Sequence, residues 1–245
     1  MRNLISANFN RLLKNRAFWL SVIIMTCIEG IFYWRLSRSD DFPMDTILLF
    51  SFECFGILVA VFLSSFLGTE YSDGTIRNKL IVGHKRSSIY LASLITGITA
   101  ITIIYLASAL IESILILFGA PHNSIGRIML SGGIVWFACI SFVSIFNLVG
   151  MLSSSKALTA IICLLTAFAL LFSGFYMFSL LSIPDYLVGA ERAIYQILLE
   201  FNPSGQILQI IFGIVMPWKL VTYSLLLSFV LTCLGLYIFH KKDLK

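Results

Sequence analysis

The chain of 245 residues is 59% hydrophobic, 12% charged and carries a formal net charge of +5. A soluble domain is about 45–50% apolar and about 25% charged, so this chain holds more apolar side chain than one aqueous core can hide. The bilayer is its expected solvent, and the positive balance reads as orienting charge rather than as a nucleic-acid surface.

Residues 1–16 come first. At 100° per residue over 3–15, Ile5, Phe9, Leu12 and Leu13 share one face, and Asn3, Asn8, Asn10, Arg11, Lys14 and Asn15 take the other. The pattern predicts an amphipathic helix lying in the headgroup region. A simple extension of the first span is the alternative, and Arg16 at the junction does not discriminate.

Six spans are expected, over 18–34, 47–67, 89–118, 128–152, 157–181 and 220–239. An apolar stretch at 207–218 is too short to cross alone and reads as re-entrant or interfacial; seven spans is the competing count. The first span lacks a small-residue cleavage site, since Tyr33, Trp34 and Arg35 stand there, and is expected to be a retained signal-anchor. Within the second, Gly56, Ala60, Ser64 and Gly68 recur every four residues. Such a stripe of small side chains lets another helix approach closely in lipid, where packing rather than water drives association.

Between the second and third spans lies a polar stretch, 69–88, within "LGTEYSDGTIRNKLIVGHKRS". Ser72 or Asp73 is expected to cap a helix there, with Gly74 and Thr75 easing the turn. The third span is long enough to tilt or to leave the bilayer. "GAPHNSIGR" reads as a turn and "SSSK" as a minimal link. The segment 182–219 reads as two helical pieces, 190–201 and 204–216, broken at Asn202-Pro203. The fold class is all-α: one polytopic membrane domain over 1–245.

With the N-terminus inside, twelve Lys and Arg fall in inner segments and five in outer ones (Arg35, Arg38, Arg127, Arg192 and Lys219). That asymmetry predicts both termini in the cytoplasm. A cysteine at Ser154 should then label from inside and one at Asn123 from outside. The five cysteines (Cys27, Cys54, Cys139, Cys163 and Cys233) all fall in spans without paired spacing, so neither a disulfide framework nor a metal site is expected.

No phosphate-loop motif, no H-E-x-x-H and no G-x-S-x-G occurs, and the three histidines lie apart. An enzyme is not expected. Three acids nonetheless sit within spans: Glu29, Glu53 and Glu112. At about 1.5 Å of rise per residue all three fall in the outer half. They could ring an outward cavity that attracts cations, or each could be a hydrated outer-end residue. No Lys or Arg lies deep enough to neutralise them within the spans, which favours a wet cavity or protonated carboxyls.

The layout resembles the ABC-2 type permeases, the membrane subunits of type V ATP-binding-cassette transporters. "GTEYSDGTIRNKL", Gly68 to Leu80, is similar to the family's E-x-x-x-G-T-[IL]-[RK] segment, and "FNPSGQ" to its Asn-Pro element before the last span. The resemblance implies that Glu70 to Arg86 forms a cytoplasmic coupling helix. Its Glu70, Asp73, Gly74, Thr75, Ile76, Arg77, Lys79 and Leu80 would couple the chain to a partner ATPase. Ile76 and Leu80 would be the apolar anchor; Arg77, Lys79, Lys85 and Arg86 would meet acids or lipid phosphates; Glu70 would hold the turn or contact the N-terminal helix. It also implies two ATP-binding subunits, which hold ATP and Mg, and a second permease chain, the same or different. Nothing is expected to bind this chain as its own cofactor.

Permeases of this size resemble those of lantibiotic immunity and bacitracin resistance, so the implied cargo is a cationic antimicrobial peptide or a hydrophobic drug leaving a bacterial plasma membrane. Export of a small cation or a lipid, an ion-coupled carrier, and a membrane sensor or scaffold without transport stay open.

Overall fold

The structure is a computed structural model and describes residues 1–36, 43–118, 122–153, 155–213 and 216–242. The expected outer turn at 35–45, the 119–127 turn and the 153–156 link each fall partly outside them, and Ser154 wholly so. Among the described residues there are eleven helices and no strand. In chain order they are α1 (Arg2–Lys14), α2 (Arg16–Leu36), α3 (Met44–Phe52), α4 (Phe55–Ser72), α5 (Thr75–Ile81) and α6 (Arg86–Leu117). There follow α7 (Ile125–Leu152), α8 (Lys156–Ser182), α9 (Gly189–Phe201), α10 (Pro203–Ile211) and α11 (Pro217–Lys241).

Six helical segments are long and apolar enough to cross a membrane: Arg16–Arg35, Leu48–Ser72, Arg86–Leu117, Ile125–Leu152, Lys156–Ser182 and Pro217–Lys241. They mark a multi-pass membrane protein. The second segment is not one smooth helix. Glu53 and Cys54 donate their N–H groups three residues back, to Phe50 and Ser51, which tightens the backbone and separates α3 from α4. No Gly or Pro announces this break.

α4 and α7 form the centre, with α8 and α11 packed on their flanks and α6 along α7. Lipid offers no hydrophobic drive between spans, so close fit has to hold them together. The fit between α4 and α7 is reciprocal. A Cβ on Gly56 of α4 would lie 2.8 Å from the Phe142 ring, and one on Gly150 of α7 would lie 2.4 Å from Leu67. Each helix provides a hole for the other's large side chain. Ala60 and Ser64 are buried on the same α4 stripe, and a Cβ on Gly68 would meet Lys156 of α8 at 2.9 Å. Apolar side chains such as Leu165, Phe172 and Phe229 on α8 and α11 stay exposed, as lipid-facing positions do.

The Asn202-Pro203 break forms as the sequence predicts, though α10 ends at Ile211 rather than 216. Pro203 opens α10 at a position where a missing N–H is harmless. Asn202 Oδ1 accepts from the Ser204 N–H at 3.1 Å, while its Nδ2 donates to the Leu170 carbonyl (2.8 Å) and Ser173 Oγ (3.0 Å). One side chain therefore caps α10 and ties the elbow to α8. All nine residues of α10 are buried.

α1 lies across the end of the bundle that also carries α5 and the chain's C-terminal end, where it packs along α6. Its expected polar face is not uniformly exposed. Leu4, Asn8 and Leu12 are its buried residues, and Leu13, placed on the apolar face by the helical wheel, is 49% exposed. Asn8 turns inward because the half-buried Lys79 ammonium donates to its carbonyl oxygen.

Candidate functional site

Two polar groupings stand out, one at each end of the bundle. The first surrounds Glu70, at the last turn of α4. Its side chain is 1% exposed, and its Oε1 accepts from Arg11 Nη1 at 2.5 Å and from Lys79 Nζ at 2.9 Å. Lys79 Nζ also donates to Asn8 Oδ1 at 3.1 Å. Arg11 Nη2 donates to the Phe66 carbonyl and Thr69 Oγ1, and its guanidinium lies 4.4 Å above the Phe66 ring. One carboxylate thus joins α1, α4 and α5.

The turn into α5 differs from the expected cap. Gly74 is the N-cap, with φ 64°, and no side chain caps the helix. Left-handed backbone suits glycine because it has no Cβ to clash. Ser72 donates instead to the Thr69 carbonyl and to Asp73, and the Thr75 hydroxyl donates to the Glu70 carbonyl at 2.9 Å. Glu70 belongs to α4, and α5 is only seven residues long, so 70–86 is not one helix.

The basic and apolar residues divide differently from the sequence expectation. Ile76 is 2% exposed and belongs to the chain's own core, and Leu80 packs against that core. Neither is presented as an anchor. The exposed apolar pair is Ile81 and Val82, at 73% and 76%. Lys79 is spent on Glu70. Arg86 is spent on α11: its Nη1 donates to the carbonyls of Phe239 (3.2 Å), His240 (3.1 Å) and Lys242. A cation there satisfies orphan carbonyls and meets the negative end of the helix dipole. Arg77 and Lys85 remain exposed, as does Asp73. Lys242 donates to Tyr71 Oη at 3.1 Å, and burial holds its amine below the ordinary lysine range. A groove of 300 Å³ runs between α1 and α5, past Leu4, Ala7, Asn78, Val82 and His84.

The second grouping is a cavity of 20 Å³ at the opposite end, between α2, α3, α6 and α7, enough for about one water molecule. Glu29 of α2 and Glu112 of α6 both line it. Glu53 does not; it sits at the α3–α4 break, 5% exposed, with neither oxygen hydrogen-bonded among the described residues. The predicted ring of three is therefore a pair, completed by an acid that sequence reading missed. Asp45, in the first turn of α3, lines the cavity too, and its carboxylate accepts from the Asn123 N–H at 3.0 Å and Asn123 Nδ2 at 2.8 Å. Tyr105, Ser108 and Ser131 supply hydroxyls to the wall. A Cβ on Gly132 would stand 2.5 Å from the Tyr105 hydroxyl, so the glycine makes room for it.

A further buried acid also escaped sequence reading. Glu200 is 3% exposed and pairs with Lys219 at 2.7 Å, while Gln206 joins the Glu200 carbonyl to Ser224 Oγ. The only prior hint was a polar residue every few positions through 200–209 in an otherwise apolar region. Among the described residues no group of three His, Cys, Asp or Glu could hold a metal ion.

Compared with known families and curated proteins, the chain matches no family model and no curated protein sequence.

Proposed function

We propose that this chain is the membrane-spanning permease subunit of an ATP-driven exporter of the ABC-2 type. The observation that carries the reading is the α5 tip. A seven-residue helix outside the spans is fixed by a buried carboxylate, yet it leaves Arg77, Ile81, Val82 and Lys85 turned to solvent. A short element held rigid, with apolar side chains and charges not used internally, has the character of a docking surface. Its partner would be an ATP-binding subunit, in two copies, which holds ATP and Mg. A second permease chain, the same or different, would complete the pathway. In this reading the chain lies in a bacterial plasma membrane with the α1 and α5 end cytoplasmic. The cargo is a cationic amphipathic peptide or hydrophobic drug, expelled for self-immunity or resistance.

The anchor in this proposal is Ile81 with Val82, not Ile76 with Leu80. Asp at both Ile81 and Val82 is expected to strip the ATP-binding subunit from the tagged, detergent-purified chain. Because both side chains are exposed, the chain's own stability should change by less than about 0.5 kcal/mol. Ile76→Asp should instead lower stability by about 3 kcal/mol, since it buries a carboxylate without a partner. Undiminished co-purification by the Ile81/Val82 variant would reject the docking surface. A chain that purifies alone from its native membrane would favour a sensor or ion-coupled carrier.

Orientation has its own check. A cysteine at Asn123 should react with an impermeant maleimide in intact cells, and one at exposed Ser155 only after permeabilisation. The reverse pattern would place α5 outside, where no ATPase could reach it.

A further inference from the structure

We infer that the cavity between α2, α3, α6 and α7 binds a single small cationic head, of the size of an ammonium group. This rests on the cavity's own chemistry and needs no ATPase partner, so it stands or falls apart from the permease reading.

Three observations converge. First, three acids line one space that, among the described residues, no Lys, Arg or His lines. Like charges gathered without a counter-ion in a poorly hydrated site repel one another and seek a positive guest. Second, Glu29 is 1% exposed and lines the cavity, and among the described residues neither of its oxygens has a partner in good hydrogen-bond geometry, Ser108 alone standing close enough to interact with it. Ser108 stands beside it, but its hydroxyl donates to the Ile104 carbonyl over a long 3.3 Å. A buried carboxyl with both oxygens unpaired is expensive unless something else fills the space. Third, the space is 20 Å³, the size of one water or one –NH3+ group.

The same features narrow the guest. All donors are oxygens, from carboxyls and from the hydroxyls of Tyr105, Ser108 and Ser131. That excludes a soft metal. Among the described residues no set of three acidic side chains is placed to hold a metal ion, which disfavours a divalent one. A group with one positive charge and up to three N–H donors matches two free acceptors and a hydroxyl. Asp45 is less available, because Asn123 already occupies both of its oxygens; it closes the end of the cavity and adds negative potential. The head could belong to an organic amine, such as a lysine side chain or alkylamine, or be a free ion such as ammonium or sodium.

The test is protection of the carboxyls from dicyclohexylcarbodiimide, which attacks membrane-buried carboxyls, on the purified full chain in nanodiscs. Modified peptides are located by mass spectrometry. Labelling is expected at Glu29 and at Glu53, the latter an internal control outside the cavity. Dodecylamine at about ten times its dissociation constant should slow labelling at Glu29 about tenfold, as simple occupancy requires. It should leave Glu53 unchanged, and tetramethylammonium, too large for the space, should protect neither. Protection by dodecylamine alone assigns the site to organic amines. Equal protection by ammonium or sodium assigns it to a free ion. No protection by any cation, equal protection by tetramethylammonium, protection extending equally to Glu53, or no labelling at Glu29 would each overturn the inference. Because the wild-type chain suffices, no variant has to fold.

Discussion

Replacing Glu70 with alanine is expected to release α1 from the bundle. The carboxylate is 1% exposed and is the shared acceptor of Arg11 and Lys79. Its removal leaves two cations facing one another, with only the Lys79–Asn8 hydrogen bond still joining α5 to α1. Breaking a fully buried ion pair is destabilising by about 3–5 kcal/mol. Here the Arg11 and Lys79 side chains are 30% and 17% exposed, so both can turn partly toward water. The loss should therefore fall near 2–3 kcal/mol, which is about a 30- to 150-fold increase in the detached population. A cysteine at Leu12, whose side chain is fully buried, reports this directly. Its reaction with a charged maleimide should accelerate by that factor in the Glu70→Ala background. An unchanged rate would mean that Leu4 and Leu12 hold α1 by apolar contact alone.

Gly205→Ala should be among the most damaging single-methyl changes at the described glycines. A Cβ there would lie 2.4 Å from the Leu199 backbone carbonyl and 2.5 Å from its Cδ1. A flexible side-chain tip could swing away, but a carbonyl in a helix cannot move without moving α9. Overpacking of this kind is destabilising by about 1–3 kcal/mol, with the upper end expected where backbone must shift. The elbow it would distort also positions Asn202 on α8 and Gln206 on Ser224. The measurement is thermal unfolding in detergent, with Gly133→Ala as the control, since nothing lies within 4 Å of a Cβ at that position. Equal unfolding temperatures for the two variants would show that α9 and α10 are only loosely joined.

Some of this was legible in the sequence for physical reasons. Spans are read well because a run of apolar side chains is a property of the segment alone. Asn202-Pro203 is read well because the cap and the proline act within three residues. Fit between α4 and α7 was half visible: the small-residue stripe could be seen, but Phe142 and Leu67 as its occupants could not. What escaped depends on partners far along the chain. Asn8 on a polar face looked solvated until Lys79 was brought to it from 71 residues away. Arg86 looked like a surface charge, yet its carbonyl acceptors lie more than 150 residues on. Asp45 stood outside the predicted span and so was not weighed with Glu29 and Glu112. Ile76 shows the same limit in reverse: four-residue spacing with Leu80 defines a face, but not whether that face meets the chain itself or another protein.

The length and placement of α6 carry a mechanical consequence. One continuous helix of 32 residues starts at Arg86, beside the α5 tip, and passes Glu112 in the acidic cavity. The two residues are separated by about 39 Å along the axis at 1.5 Å per residue. Arg86 pins the starting end to the carbonyls of α11, which makes it a fulcrum rather than a free end. Tilting such a lever by about ten degrees would sweep Glu112 sideways by about 7 Å, given that length. That stroke exceeds the width of the cavity itself. A modest push at one membrane surface would then be enough to dismantle a small charged pocket near the other.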